Sequence, residues 1–317
     1  MGGASLGYGL KFDLPDVKGL EDYTPPLNTR VLARDGSTIA SFGQQRRILI
    51  AYRDIPRDFE RALVSVEDSS YYRHNGIDLR GIARAAWHDL TTLSLEQGAS
   101  TLTQQLARGL FLTPDKTARR KLQEMLLAIE IERNYTKQEI LRLYCNQVYI
   151  GHGFYGIEAA SRNYFGKPAR ELDLPQAALL AGIIQRPEGL SPLRNPDRAL
   201  RRRNHVLTRM AEEGYLTREQ AEAAHRAPLA LAPKRESSEA APYFVEEVRR
   251  WLQPKFGEEG VYQSGLEVRT TLDTRLQTLA DRAMDSGLRQ LDKRQGWRGV
   301  SAHVRKDQSP DAWESPS

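Results

Sequence analysis

The sequence predicts a mainly α-helical protein with a small β-hairpin near its N terminus and a small α/β segment near its C terminus. Between residues 55 and 231, apolar residues recur three and four positions apart, which is the spacing of a helix face. Residues 29–49 instead alternate apolar and polar side chains on both sides of Asp35-Gly36, which indicates a β-hairpin. Residues 264–273 alternate again, and a helical pattern covers residues 274–291.

Composition restricts the class of protein but not its activity. A hydrophobic fraction of 40% in 317 residues allows one large domain with a full core and a smaller one. The net charge of +5 favours an anionic partner, which is a nucleic acid, an acidic lipid surface or a phosphorylated substrate. The single cysteine, Cys145, excludes an intramolecular disulfide. No apolar run reaches the length of about 18 residues that predicts a membrane span.

We predict four segments along the chain. Residues 1–50 form an extended lead-in and the hairpin, and residues 51–233 form the main helical domain. Residues 234–299 begin with a polar loop and continue as a connector of helix, strand and helix. Residues 300–317 are polar and rich in serine and proline, so we expect a disordered tail.

The first candidate site is the carboxylate pair Glu67 and Asp68, which ends an apolar helical run and precedes two tyrosines and His74. A carboxylate held against apolar groups has a raised pKa, as a general base requires. The alternative is a helix that continues to Asn75-Gly76, with both carboxylates solvated.

The second candidate site is a helix start at residues 98–112. Free backbone N–H groups there, with hydroxyls and amides beside them, can hold a phosphate or a sugar. The alternative is an ordinary solvated first turn with one capping side chain. The polar side chains of this turn are Ser100, Thr101, Thr103, Gln104 and Gln105.

The third candidate lies on a helix over residues 118–133, with Leu122, Met125, Leu126 and Ile129 as its predicted buried stripe. Arg120 and Lys121 precede Glu124 by four and three positions and therefore share a face with it. The alternative is an ordinary surface ion pair.

The fourth and fifth candidates follow along the chain. Thr136 and Glu139 form a predicted capping box that places Lys137 in a first turn, where its charge opposes the helix dipole and hints at an anion. Asn146 precedes a glycine-rich turn, and residues 185–204 form a proline-rich loop that leads into a basic helix.

Taken in this order, the five segments resemble the glycosyltransferase family 51 domain of class A penicillin-binding proteins and of monofunctional peptidoglycan glycosyltransferases. The resemblance covers residues 55–205. Three departures are Tyr71, where phenylalanine is usual, Arg108-Gly109, where Lys-Asn is common, and Arg142, where the family usually has glutamate. The matching residues are Glu67, Asp68, His74 and Gly76; Gly98, Ser100, Thr101, Thr103, Gln104 and Gln105; Arg120, Lys121 and Glu124; Lys137, Ile140, Leu141, Tyr144 and Asn146; and Arg186, Pro187, Ser191 and Pro192.

The resemblance implies a lysozyme-like fold and the polymerisation of lipid II into β-1,4 glycan strands, with inversion and release of undecaprenyl diphosphate. It assigns catalysis to Glu67, as base, and to Glu124. Glu124 then either orients the cations around the diphosphate or holds a divalent metal such as Mg²⁺ or Mn²⁺. The expected substrate-binding residues are Ser100, Thr101, Gln104, Gln105, Arg108, Arg120, Lys121, Arg133, Lys137, Asn146 and Arg186.

The same resemblance implies a site at the outer face of the bacterial cell membrane and no nucleic-acid partner. Residues 81–97 are an apolar stretch that either dips into the membrane or faces the core. Transpeptidase signatures are absent from the sequence, so we expect a fragment of a bifunctional enzyme without its anchor helix. The resemblance also implies other cell-wall synthesis proteins as partners.

Two rival functions are kept open. A lysozyme-like hydrolase would use Glu67 as an acid on finished glycan. A non-catalytic basic module would bind a membrane or nucleic acid through the arginines at residues 198–203.

Overall fold

The computed structural model describes residues 14–20, 23, 25–43, 45–83, 100–112, 117–233 and 241–296. The described residues fall into two compact units. The larger lies within residues 1–29, 42–236 and 256–266, and the smaller lies within residues 30–41, 237–255 and 267–317. Among the described residues, no helix combines the length and the apolar character that crossing a bilayer requires.

The larger unit is helical, as the sequence predicts. Two short 3₁₀ turns, Tyr52–Asp54 and Ala169–Glu171, connect its helices, and β3 (Arg46–Arg47) pairs in parallel with β4 (Phe154–Tyr155). The helices are α1 (Arg57–Glu67), α2 (Leu102–Phe111), α3 (Ala118–Asn134), α4 (Lys137–Gln147), α5 (Ile157–Phe165), α6 (Leu174–Ile183), α7 (Pro196–Glu212) and α8 (Arg218–Arg226).

Helix α6 is the centre of the core. Its residues from Gln176 to Ile183 are all buried, as expected for a helix that is apolar on every side. It packs against α1 and α7. At Gly182 an added Cβ would lie 3.1 Å from Cγ of Arg202, so the glycine allows α7 to approach closely. This packing brings Arg202 of α7 to the C-terminal end of α1.

The smaller unit contains most of a three-stranded sheet in the order β2 (Thr38–Phe42), β1 (Thr29–Leu32), β5 (Glu267–Arg269). The predicted hairpin is confirmed, since the Ala33 N–H donates to the Ser37 carbonyl across the turn at 2.8 Å. Strand β5 is confirmed as well, and it pairs in parallel with β1, with Val31 opposite Val268. The sequence did not predict that these distant segments share a sheet.

Two helices complete the described chain. Helix α9 (Pro242–Gln263) leaves helical geometry at Gly257, and α10 (Thr274–Arg294) begins at its cap residue Asp273. The predicted limits of the four segments stay predictions, because most of the 234–242 loop and all of the 300–317 tail lie outside the described residues. Most of the predicted membrane stretch at 81–97 also lies outside them.

Candidate active site

Glu67 is the last residue of α1, and its carboxylate is largely buried, with 13% of the side chain exposed. It accepts a hydrogen bond from Nε2 of Gln105 at 3.0 Å and lies 3.9 Å from the Arg202 guanidinium. Burial raises the pKa of Glu67, while Gln105, Arg202 and Arg108 oppose that rise. The helix ends here and not at Asn75-Gly76, so the alternative of a solvated pair is wrong.

Gln105 orients Glu67 because a second contact fixes the amide group. Its Oε1 accepts a hydrogen bond from the hydroxyl of Tyr144 at 2.9 Å, which leaves its Nε2 directed at Glu67. Tyr144 is buried on α4, and burial raises its pKa well above the usual range, so it remains a donor. This chain of contacts gives Gln105 a clear role beside the candidate base.

Asp68 has a structural role that differs from that of its neighbour. It is buried and accepts hydrogen bonds from the Leu102 N–H at 2.9 Å and from Nε2 of His74 at 3.0 Å. The Gly76 N–H donates to Nδ1 of His74, which assigns the ring proton to Nε2. Gly76 has a φ of 91°, and an added Cβ would lie 2.7 Å from the Ala128 backbone. Asp68 therefore fixes the start of α2 relative to the loop after α1.

Glu124 lies among three cations and a serine, and we call this group the open cluster: Ser100, Arg108, Arg120, Lys121 and Glu124. The Glu124 side chain is 1% exposed, and Lys121 Nζ lies 2.7 Å from it, Arg120 3.3 Å and Arg108 3.9 Å. Lys121 also donates to Ser100 Oγ at 2.8 Å. Because Lys121 and Arg108 remain 43% and 45% exposed, their charges are accessible to an anion. The alternative of an ordinary surface ion pair is wrong, since Glu124 is buried.

A divalent metal, one of the two alternatives for Glu124, does not fit the residues around it. The three cations around this one carboxylate repel any further positive charge, and hard dications need several oxygen ligands. Within the part of the chain that the structure describes, no three acidic, histidine or cysteine residues are grouped as metal ligands. The geometry supports the other alternative, in which Glu124 orients its cations.

Arg108 connects the two glutamates. Its guanidinium lies 3.9 Å from Glu124, and its charge also lowers the pKa of Glu67. The sequence reasoning placed Glu67 and Glu124 in one site only by resemblance. The structure brings the candidate base and the open cluster within electrostatic reach of each other through this residue of α2.

Lys137 belongs to a second group, which we call the sealed cluster: Thr103, Glu132 and Lys137. Glu132 is 3% exposed and lies 2.5 Å from Lys137 Nζ, and Thr103 donates to it at 2.6 Å. The predicted capping box of α4 is confirmed. Lysine in that first turn thus has an internal counter-ion, and its assignment to substrate binding stays a prediction with a competing explanation.

Sequence reasoning missed Glu132 and Arg202. The predicted apolar stripe of α3 is wrong, because Leu122 is exposed while Leu127, Ala128 and Ile131 are buried. Helix α3 is apolar on two sides, and its packing against α2 and α4 selects the side that also carries Glu124 and Glu132. The run of arginines at residues 198–203 predicts a basic surface that includes Arg202, whereas the structure places Arg202 against Glu67.

The other predicted contact residues divide into buried and exposed ones. Thr101 and Gln104 are buried and form the capping box of α2, and Thr101 also donates to the Gly76 carbonyl. Asn146 is buried and bonds both backbone groups of Ile50. Arg133 is 72% exposed and pairs with Glu130, while Arg186 is exposed. Their substrate roles remain predictions.

Known proteins resemble this chain in sequence and in fold. A transglycosylase family model matches residues 35–211. Penicillin-binding protein 1A of Vibrio cholerae is 42% identical over 96% of this chain and 37% of its own length, and that of Escherichia coli is 39% identical over 99% and 37%. The crystal structure of penicillin-binding protein 1A from Haemophilus influenzae aligns with a TM-score of 0.53 and 26% identity over 92% of this chain and 33% of that one. The chain thus spans about a third of the length of these relatives.

Proposed function

The chain belongs to the transglycosylase family, and on that premise we propose that it is a peptidoglycan glycosyltransferase that joins lipid II units into β-1,4 glycan strands. The observation that carries the proposal is the position of Arg108, which links a largely buried carboxylate with a raised pKa to a group of three cations, two of them exposed. The reaction requires both parts, a base for the acceptor hydroxyl and positive charge for the diphosphate leaving group.

Glu67 is the proposed base. The acceptor hydroxyl oxygen forms a bond to the anomeric carbon of the donor, and its proton passes to the Glu67 carboxylate. A base works best when its pKa is close to the working pH, and burial moves the pKa of Glu67 in that direction. Gln105, fixed by Tyr144, keeps the carboxylate oriented.

The open cluster is the proposed site for the leaving group. As the new bond forms, the bond from the anomeric carbon to the diphosphate oxygen breaks, and negative charge grows on that oxygen. Three cations against one carboxylate leave a net charge of +2 to stabilise it. Because a diphosphate leaves readily, no strong general acid is required, and one displacement inverts the configuration.

The rival functions explain less of this geometry. A hydrolase acting on finished glycan has no diphosphate, so the open cluster would have no substrate group to bind. A basic binding module would use the arginines at residues 198–203, of which Arg198 and Arg201 are exposed. The other two are engaged inside the protein, since Arg203 is buried and donates to the carbonyls of His225 and Ala227, and Arg202 contacts Glu67. We also propose that the lipid carrier places this reaction at the outer face of the bacterial membrane.

Labelled lipid II in detergent tests the proposal. We expect the wild type to form long glycan ladders and Glu67→Gln to form them about 10²–10⁴-fold more slowly, as for other lost general bases. Glu130→Gln, which changes an exposed glutamate of α3, is the matched control and should retain activity. Release of reducing ends from finished glycan, with no polymer from lipid II, would overturn the proposal in favour of a hydrolase.

Glu67→Gln should not destabilise the fold at neutral pH. Folding raises the pKa of Glu67, so its neutral form is favoured in the folded protein and its ionisation, as pH rises through the raised pKa, opposes folding. Glu67→Gln removes that opposing ionisation. We expect an equal or higher melting temperature at pH 7 by scanning calorimetry, whereas a clear decrease would contradict the burial of Glu67.

A further inference from the structure

Helix α10 has an apolar face that nothing in the described part of the chain covers. None of its 21 residues is buried, and every position from 278 to 294 is exposed. Because helices in proteins owe most of their stability to the packing of an apolar face, the exposed face indicates a missing partner. The large apolar side chains, with exposed fractions of 40–65%, are Leu276, Leu279, Met284, Leu288 and Leu291.

These side chains form one continuous face. At about 100° per residue, the five large side chains and the small residues Ala280, Ala283 and Gly287 fall within roughly half of the helix circumference. The face also includes Gln277 and Gln290. The small residues lie near its middle, with larger side chains on both sides. Since the distance between packed helices depends on the side chains at the contact, this arrangement lets another helix come close.

Gly287 has no structural explanation within the described part of the chain. Its backbone is helical, and an added Cβ there would meet nothing within 4 Å. Glycine inside a helix costs about 1 kcal/mol relative to alanine. A second helix packed against this position would explain the glycine, because a side chain there would hold the two backbones apart.

Two rows of opposite charge lie on the polar side of α10. The row beside Leu288 is acidic, and the row beside Leu279 is basic. The single ion pair that α10 makes within the described residues joins Arg289 to Asp285. The acidic row is Asp281, Asp285 and Asp292, and the basic row is Arg275, Arg282, Arg289 and Lys293.

We infer that α10 pairs with α10 of a second copy of this chain, in parallel and in register. In a parallel pair with a two-fold axis along the helices, the acidic row of each copy faces the basic row of the other. Arg282 then lies one residue, about 1.5 Å along the axis, from Asp281 of the second copy, and Lys293 is equally close in height to Asp292. An antiparallel pair would bring like charges together, which is unfavourable.

Two other occupants fit the face less well. An anionic membrane surface attracts basic side chains, yet the acidic row borders the apolar face as closely as the basic row does. An unrelated protein would need its own matching rows of charge, which a second copy supplies by symmetry. Self-association of α10 does not depend on the proposed activity and is measurable without lipid II.

Sedimentation equilibrium of the full chain tests the inference. We expect a reversible equilibrium between monomer and dimer with a micromolar dissociation constant, as for other small interfaces. Gly287→Leu should weaken the dimer at least about tenfold, because the new side chain separates the two backbones. The same change should leave the melting temperature of the dilute monomer equal or higher, since leucine favours a helix and the position is open.

The matched control is Thr278→Leu, which adds the same side chain on the polar side of α10 and should leave the dimer unchanged. Leu288→Gln, at a position that is 52% exposed, should weaken the dimer without unfolding the monomer. Circular dichroism of each variant checks that the fold is retained.

Disulfide trapping tests the orientation. Cys145 is buried, so a cysteine placed on α10 is the reactive one. Leu276→Cys and Leu291→Cys lie near opposite ends of the helix. Under mild oxidation, each variant should form a disulfide-linked dimer by itself if the helices are parallel and in register.

Any of three results would overturn the inference. A chain that stays monomeric at about 100 µM would leave the face to a different partner. A folded Gly287→Leu that dimerises as tightly as the wild type would place the contact elsewhere. Disulfide formation only in a mixture of Leu276→Cys with Leu291→Cys would show an antiparallel pair.

Discussion

Helix α3 carries two buried glutamates whose surroundings use the same chemical groups for different purposes. Glu124 lies 2.7 Å from Lys121, which donates to Ser100, and Glu132 lies 2.5 Å from Lys137 and accepts from Thr103. The lysine of the open cluster is 43% exposed, and the lysine of the sealed cluster is 21% exposed. Each group thus combines a carboxylate, a lysine and a hydroxyl, and they differ in access to solvent.

This difference separates binding from stabilisation. In the open cluster, two extra arginines exceed the charge of Glu124, so positive charge remains for a substrate. In the sealed cluster, one lysine balances one carboxylate and also lies 4.5 Å above the Tyr71 ring. We therefore expect the open cluster to determine activity and the sealed cluster to determine the stability of the helix packing.

The largest expected effect is on stability, from Glu132→Gln. This change leaves the Lys137 ammonium without its carboxylate in a largely buried place, and breaking such a pair costs about 3–5 kcal/mol. Glu124→Gln should cost less, about 1–3 kcal/mol, because Lys121 and Arg108 can extend into water and only Arg120, whose side chain is 15% exposed, is left largely buried without its carboxylate. Urea unfolding measures both free energies.

The exposed Glu130→Gln on the same helix is the control for that comparison and should change the free energy of unfolding by less than about 1 kcal/mol. If Glu124→Gln destabilised the protein as much as Glu132→Gln, the distinction between the two clusters would fail.

A smaller effect is expected on anion affinity. Lys121→Met removes an exposed cation of the open cluster, and one charged hydrogen bond contributes about 1.5–3 kcal/mol, so inorganic pyrophosphate should bind roughly 10–100-fold more weakly. Lys137→Met should bind pyrophosphate as the wild type does. Isothermal titration calorimetry measures both affinities, and equal losses in the two variants would contradict the division.

The smallest expected effect is a shift of the pH profile. Gln105→Met removes the hydrogen bond that lowers the pKa of Glu67, so that pKa should rise further. The base must be ionised to act, and the acid limb of kcat/KM should therefore move to higher pH. Gln277→Met, on α10, is the control. An unchanged limb, or one that moves to lower pH, would exclude Gln105 as a partner of the base.

Much of the fold was predictable from local patterns. Helical periodicity, the capping box at Thr136 and Glu139, and the turn at Asp35-Gly36 depend on near neighbours, and the structure confirms each. The pairing of β1 with β5 was not predicted, because it joins residues more than 200 positions apart. Periodicity also failed to predict the buried face of α3, because apolar residues occupy two sides of this helix and tertiary contacts decide which side is buried.

For the site, residue types and spacing left Glu67, Gln105, Lys121 and Glu124 with ordinary structural alternatives, and the resemblance of the five segments selected them. The structure places Gln105 beside Glu67 and Lys121 beside Glu124. Spacing within one helix did not reveal which cations are already neutralised. Lys137 matched the pattern of an anion-binding residue, yet its partner Glu132 precedes it on another helix. Arg202 reaches Glu67 from α7, which packs closely against α6 at Gly182, and such a tertiary contact is not visible in local spacing.

The most direct test of the central claim is the rate of glycan polymerisation by Lys121→Met and Lys137→Met, measured side by side on lipid II with equal amounts of folded protein. The claim is that Glu67 and the open cluster form one reaction centre. We predict that Lys121→Met polymerises about 10²–10³-fold more slowly than the wild type, as for other lost transition-state donors. Lys137→Met should polymerise at a rate within about threefold of the wild-type rate, since it removes no donor to the leaving group. A fully folded Lys137→Met that loses as much activity as Lys121→Met would contradict the account.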